Sequence, residues 1–130
     1  MVCLETSFLV SYLRGDEKAR LIWQKFERRG EVLTIASPSI IELISGAELE
    51  EIKKEKEEII GLLSSLIILP LDKGSAVLAG EIEASLILSG QVIGIADIMI
   101  GAIALHNNER LITKNKKHFE RINGLEIESY

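Results

Sequence analysis

Val32-Leu33-Thr34-Ile35-Ala36-Ser37-Pro38-Ser39-Ile40-Ile41-Glu42-Leu43-Ile44 carries two structural patterns back to back. Val32–Ala36 reads as a short strand. Ser37-Pro38 then starts a helix, with serine at the cap and proline in the first turn, where its missing N–H costs nothing. Ile40, Ile41, Ile44 and Ala47 supply the apolar stripe of that helix. A strand running straight into a helix is one unit of an α/β fold, and the pattern repeats on both sides. Upstream, Val2–Glu5 is an apolar run closed by an acid, the pattern of a buried strand. Thr6 or Ser7 is placed to cap a helix bearing Phe8, Leu9, Tyr12 and Leu13 that stops near Gly15. A second helix is capped by Asp16, carries Ala19, Ile22, Trp23 and Phe26, and ends at Gly30. Downstream, Glu50–Glu58 is a charge run with opposite signs four apart, read as a solvated helix face. Leu66–Leu69 is a third strand ended by Pro70, and Asp72–Leu88 is helical until Gly90. A helix from about Asp97 to His106 precedes a fourth strand, Arg110–Thr113, and a fifth, Leu125–Glu128. The expected fold is a single compact α/β domain over residues 1–130. Its mostly parallel five-stranded sheet is flanked by helices on both faces. Ligands of such sheets bind beyond the carboxyl ends of the strands, which is where to look for chemistry.

Composition narrows the function. The chain has 130 residues, 47% hydrophobic and 27% charged, with a formal net charge of −5. That is the size of one domain with a core large enough to fold without metal or disulfide. The single cysteine, Cys3, excludes a disulfide framework and a Cys-rich zinc site, and reads as packing. A pI of about 5.1 excludes a bulk polycation that coats nucleic acid by net charge. At the start of the chain, Glu5 interrupts the apolar run and the first basic residue is Arg14, unlike a secretory signal. Leu86–Leu105 has about the length of a membrane span. It holds Ser89-Gly90-Gln91, Gly94, Gly101 and a central Asp97, whose insertion costs about 2.5–3.5 kcal/mol. A turn followed by a buried helix fits better, and the expectation is a soluble, cytoplasmic protein with no membrane contact.

Three acids stand where acids are expensive. Asp97 is the only charge from Val92 to Leu105, with Ile93, Gly94, Ile100, Gly101 and Ala104 at helical spacing around it. A carboxylate there must be capped, paired or metal-bound. One reading makes it the N-cap of the helix from Ile98; the other makes it a metal or proton-handling acid in a crevice. Glu5 ends the first strand, and reads either as an edge acid stabilised near a helix N-terminus or as a site acid at the rim where sheet sites form. Glu42 lies early in its helix, and reads either as a solvated glutamate or as a site acid, the small residues Pro38, Ser39, Ser45 and Gly46 leaving room for a ligand. Three carboxylates at one end of a sheet repel unless a cation joins them, and hard ions such as Mg²⁺ or Mn²⁺ favour oxygen ligands.

Four segments resemble, in order and separation, the PIN-domain ribonucleases, in particular the VapC-type toxins of prokaryotic toxin–antitoxin systems. They are Met-Val-Cys-Leu-Glu-Thr-Ser-Phe-Leu from Met1, Pro38-Ser39-Ile40-Ile41-Glu42-Leu43, Ile95-Ala96-Asp97-Ile98 through Ala104, and Leu111-Ile112-Thr113-Lys114-Asn115 through Ile122. The resemblance implies a Mg²⁺- or Mn²⁺-dependent endoribonuclease that dimerises and is plugged by a cognate antitoxin. Glu5 then stands for the family's first aspartate, while Glu42 and Asp97 match its second and third acids. Asn115 stands where many members have a fourth acid. On that reading Thr6 and Thr113 would be supporting residues, and a water bound to the metal would be the group that attacks the RNA phosphodiester.

Two departures bear on activity. Glutamate at 5 is one methylene longer than aspartate, and Asn115 offers an oxygen without charge. A competing reading follows, a PIN-like module that binds antitoxin or RNA without turnover. Lys114, Lys116 and Lys117, with His118 and Arg121, form a basic cluster beside Asn115. It reads either as phosphate contacts or as a solvated loop. Arg14 and Lys18 extend such a groove if the first loop folds over it. His106 and His118 lack the pairing of a zinc set and read as ordinary polar residues. Tyr12, Trp23 and Phe26 read as core or dimer surface.

Overall fold

The central strand, β1 (Val2–Leu4), is wholly buried, and the fold is arranged around it. The computed structural model describes all 130 residues. After β1 come α1 (Thr6–Leu13), α2 (Glu17–Arg28), β2 (Leu33–Ala36), α3 (Ser37–Leu49), α4 (Lys53–Leu63) and β3 (Ile67–Leu69). Then follow α5 (Lys73–Leu88), α6 (Ile95–His106), β4 (Arg110–Thr113), α7 (Lys116–Phe119) and β5 (Ile127–Ser129). The five strands form one sheet in the order β3-β2-β1-β4-β5, with every pairing parallel. Cys3 lies beside Thr34 on one side and Leu111 on the other.

Strand alternation sorts the two cores. Val2, Leu4, Ile35 and Ile112 meet Phe8, Leu9, Trp23, Phe26, Leu43 and Ile59 on one face. Cys3, Ala36 and Leu111 meet Ile98, Ile103, Phe119 and Ile122 on the other. Cys3 is packing, as expected, and burial pushes its thiol up to about 12. Tyr12 stacks on Trp23 at 4.2 Å between centroids, so this pair belongs to the helical layer. No helix is long and apolar enough to cross a membrane.

Several boundaries differ from expectation, each for a local reason. Glu5, rather than Thr6 or Ser7, caps α1, because its side chain reaches back to the Ser7 N–H. Ala36 occupies the cap position of α3, which puts Ser37 inside the helix. The same holds for α6: Gly94 is the cap, so Asp97 lies in the first turn and is not an N-cap. The charge run is divided between the end of α3 and the separate helix α4. Glu51 adopts a left-handed φ of 56° between α3 and α4, and a Lys56–Glu48 ion pair of 2.7 Å links the two. Finally, β5 begins at Ile127 rather than Leu125, since the Leu125 N–H is spent on the Ile122 carbonyl in closing a turn.

Candidate active site

Glu5 is still fixed to the sheet when the chain leaves β1, because its N–H donates to the Ile112 carbonyl of β4 at 3.1 Å. Its carbonyl then accepts from Phe8 and Leu9, starting α1 directly over the strand end. The side chain is only 2% exposed. Oε2 accepts from the Ser7 N–H at 2.9 Å, from the Ser7 hydroxyl, and from the Thr113 hydroxyl at 2.8 Å. Oε1 accepts from no protein group. Burial holds the Glu5 carboxyl above its ordinary range; the hydrogen bonds from Ser7 and Thr113 oppose that shift, and the Asp97 carboxylate adds to it.

Thr113, buried at the end of β4, also accepts from the Asn115 N–H at 2.9 Å. The Ser7 hydroxyl accepts from the Lys114 N–H at 3.0 Å. One polar knot therefore ties the start of α1 to the loop after β4. Glu42, half-buried in α3, joins the same corner through the Thr6 hydroxyl, which donates to its Oε1 at 2.7 Å. Asp97 projects from the first turn of α6, and its Oδ2 accepts from His118 Nδ1 at 3.0 Å. His118 is thus no ordinary surface residue. An ionised carboxylate can only accept, which sets the Nδ1–H tautomer while Asp97 is ionised.

The remaining candidates are placed differently. Asn115 caps α7 by position, but its side chain makes no hydrogen bond within the cluster. Lys114, Lys116 and Lys117 are exposed along the rim, with Lys114 Nζ 5.5 Å above the Tyr130 ring. Arg14 is not free for a groove, since it pairs with Glu50 at 3.0 Å and Glu55 at 3.8 Å. The largest concavity, about 590 Å³, lies between the end of α3 and α4, lined by Ala47, Ile52 and Ile60 among others. None of the candidate acids lines it. Buried charge, rather than cavity volume, marks the site.

Residues 2–125 match the family model described as PIN domain. The chain belongs to the PIN-domain family. It is similar to the tRNA(fMet)-specific endonuclease VapC of Shigella flexneri, 28% identical over 98% of this chain and 96% of the relative. The tRNA(fMet)-specific endonuclease VapC of Salmonella typhimurium is 32% identical over 87% of this chain and 86% of its own. Among solved structures, VapBC2 of Rickettsia felis, bound to a promoter DNA fragment, superposes with a TM-score of 0.89 at 25% identity. It covers 100% of this chain and 99% of that one. DNA-bound VapBC of Salmonella typhimurium gives 0.81 at 28% identity, covering 99% and 98%.

In this PIN domain the donor set suits a hard cation held through few protein ligands. The Glu5 carboxylate, buried as a residue, keeps one oxygen, Oε1, free of protein donors, and lies within the field of a second carboxylate, Asp97. No three Asp, Glu, His or Cys side chains stand close enough to form a cage as they are posed. Mg²⁺ is typically held by one or two carboxylates with water completing its shell, which such a pair satisfies. Two contributors escaped the sequence reading. Ser7 gave no signal beyond capping propensity, and the His118–Asp97 contact depends on tertiary packing. Their spacing of 21 residues marks no motif.

Proposed function

We propose that this PIN domain is a divalent-cation-dependent endoribonuclease and the toxin of a VapBC-type toxin–antitoxin pair. The carrying observation is Glu5: a buried carboxylate at the end of the central strand, one oxygen undonated, that feels the charge of Asp97. Glu5 and Asp97 would hold Mg²⁺ or Mn²⁺, and Glu42, anchored by Thr6, would hold the ion or one of its waters. Such an ion, when bound, lowers the pKa of water and neutralises charge developing on a phosphodiester. Thr113 and Ser7 fix Glu5, while Asn115 orients a water or the phosphate at the mouth. Lys114, Lys116 and Lys117 contact neighbouring phosphates. A cognate antitoxin is the protein partner, by likeness to the VapBC complexes. A homodimer fits the apolar side chains left exposed, Ile41, Ile87 and Leu88 among them.

The relatives' named substrate, tRNA(fMet), is the first RNA to assay. Cleavage is expected in Mn²⁺ or Mg²⁺, to stop in chelator, and to fall by at least about a hundredfold in Asp97→Asn. Undiminished cleavage by that variant, or in chelator, refutes the assignment. Glu5 also motivates the second reading, a module without turnover, because three donors already occupy its Oε2. A silent parent that gains metal-dependent cleavage as Glu5→Asp with Asn115→Asp would establish that reading instead.

A further inference from the structure

We infer that His118 is a positioning residue of the cation site, holding Asp97 by one oxygen so that the other is presented to the ion. The inference rests on the proposed cation reading of Glu5 and Asp97. Asp97 Oδ2 has a single partner, His118 Nδ1 at 3.0 Å, and Oδ1 has none. A carboxylate in the first turn of a helix otherwise turns freely between rotamers. Ion capture by few ligands requires it to be still.

The packing behind this contact is specific. Gly101 follows Asp97 by one helical turn on the same face of α6. A Cβ at 101 would stand 2.3 Å from Ile122 Cδ1 and 3.6 Å from Phe119 Cδ1. The bare backbone at 101 therefore admits the Ile122 methyl, with Phe119 at ordinary contact distance beside it, and both side chains are buried against α6. Arg121 adds a clamp, donating from Nη1 to the Val92 carbonyl at 3.1 Å, just ahead of the helix. With Phe119 seated, its neighbour His118 falls on Asp97. A half-exposed pair of this kind contributes little to stability, so its consequence lies in the carboxylate it orients.

The test is Mn²⁺ binding to the full chain, followed by electron paramagnetic resonance, in the parent, His118→Ala, His118→Asn and Asp97→Asn. Loss of a hydrogen bond to a ligating carboxylate weakens affinity by about 10–100-fold, the effect expected for His118→Ala. His118→Asn, whose amide N–H reaches the same oxygen, recovers most of it. At saturating Mn²⁺ both variants cleave a labelled RNA oligonucleotide with near-parental kcat, because the defect is one of holding the ion. Parental Mn²⁺ affinity in His118→Ala, alongside lost affinity in Asp97→Asn, overturns the inference and leaves the cation site standing. Parental affinity in Asp97→Asn removes the cation reading itself, and this inference with it. A fall in kcat that saturating Mn²⁺ does not restore gives His118 a part in the reaction and overturns a positioning role.

Discussion

Glu5 is held between opposing forces. Burial and the Asp97 charge favour its protonated form, while Ser7 and Thr113 donate to the ionised one, and burial dominates. An acid whose pKa is higher folded than unfolded binds its proton more tightly in the folded state. Its favourable contribution is complete below the ordinary value of 4.5 and is lost as pH rises through the raised value. Glu5→Gln removes the charge yet keeps an oxygen for Ser7 and Thr113. The variant is therefore expected to melt a few degrees higher than the parent at neutral pH, with the gap closing as pH falls toward 4.5. Mn²⁺ should raise the parent's Tm and leave the variant's unmoved, since only a ligand of the folded state stabilises it. Melting curves across pH, with and without Mn²⁺, decide this; a parent more stable than the variant at neutral pH without metal contradicts it. The acids themselves were legible from sequence, each as a charge among apolar neighbours. The hydroxyls and imidazole that steady them were not. Ser7 meets Thr113 across 106 residues, a separation that no local pattern encodes.

At the level of elements, the legible features were those decided locally. Asp16 caps α2 as expected, Asp72 stands as the cap of α5 rather than its first residue, and β4 occupies the four residues expected of it. The helices that start at the site were the ones misread. Glu5, Ala36 and Gly94 take the cap positions of α1, α3 and α6, and neither Ala36 nor Gly94 offers a capping side chain. Strand ends and close packing set those starts, overriding residue preference. Gly101 illustrates the same conflict. Alanine there should favour the helix by about 1 kcal/mol, whereas overpacking against a filled core costs about 1–3 kcal/mol. Because Ile122 is only 2% exposed, its Cδ1 has little room to withdraw. Gly101→Ala is expected to be net destabilising and to lower Mn²⁺ affinity by displacing α7 from Asp97. Adding Ile122→Val deletes the clashing methyl and should restore both, a coupling read from a double-mutant cycle of denaturant midpoints. Additive effects would show that residues 101 and 122 do not meet as described.

At the scale of the whole molecule, strand order fixes where chemistry gathers. From β1 the chain builds β2 and β3 on one side, then crosses to place β4 and β5 on the other. The connections leaving β1 and β4 diverge, opening the crevice that parallel sheets offer to ligands. Glu5 and Thr113 terminate those two strands and meet across it at 2.8 Å. The net charge of −5 opposes a polyanionic substrate, yet the rim from Lys114 to Arg121 bears Lys114, Lys116, Lys117 and Arg121 against one acid, Glu120. On the proposed function, RNA attraction is a local property of this rim, working against the field of the rest. For single-stranded nucleic acid, each phosphate contact adds about 0.7 to the slope of log affinity against log salt, so three contacts amount to about 2. Replacing Lys114, Lys116 and Lys117 by Gln should raise KM for RNA, flatten its salt dependence by about that amount, and leave kcat and Mn²⁺ affinity intact. All three side chains are exposed, so the fold is expected to tolerate the change. Cleavage kinetics over a series of KCl concentrations separate the terms. A lowered kcat with an unchanged salt slope would take the lysines off the substrate's path and leave the approach of RNA to another face.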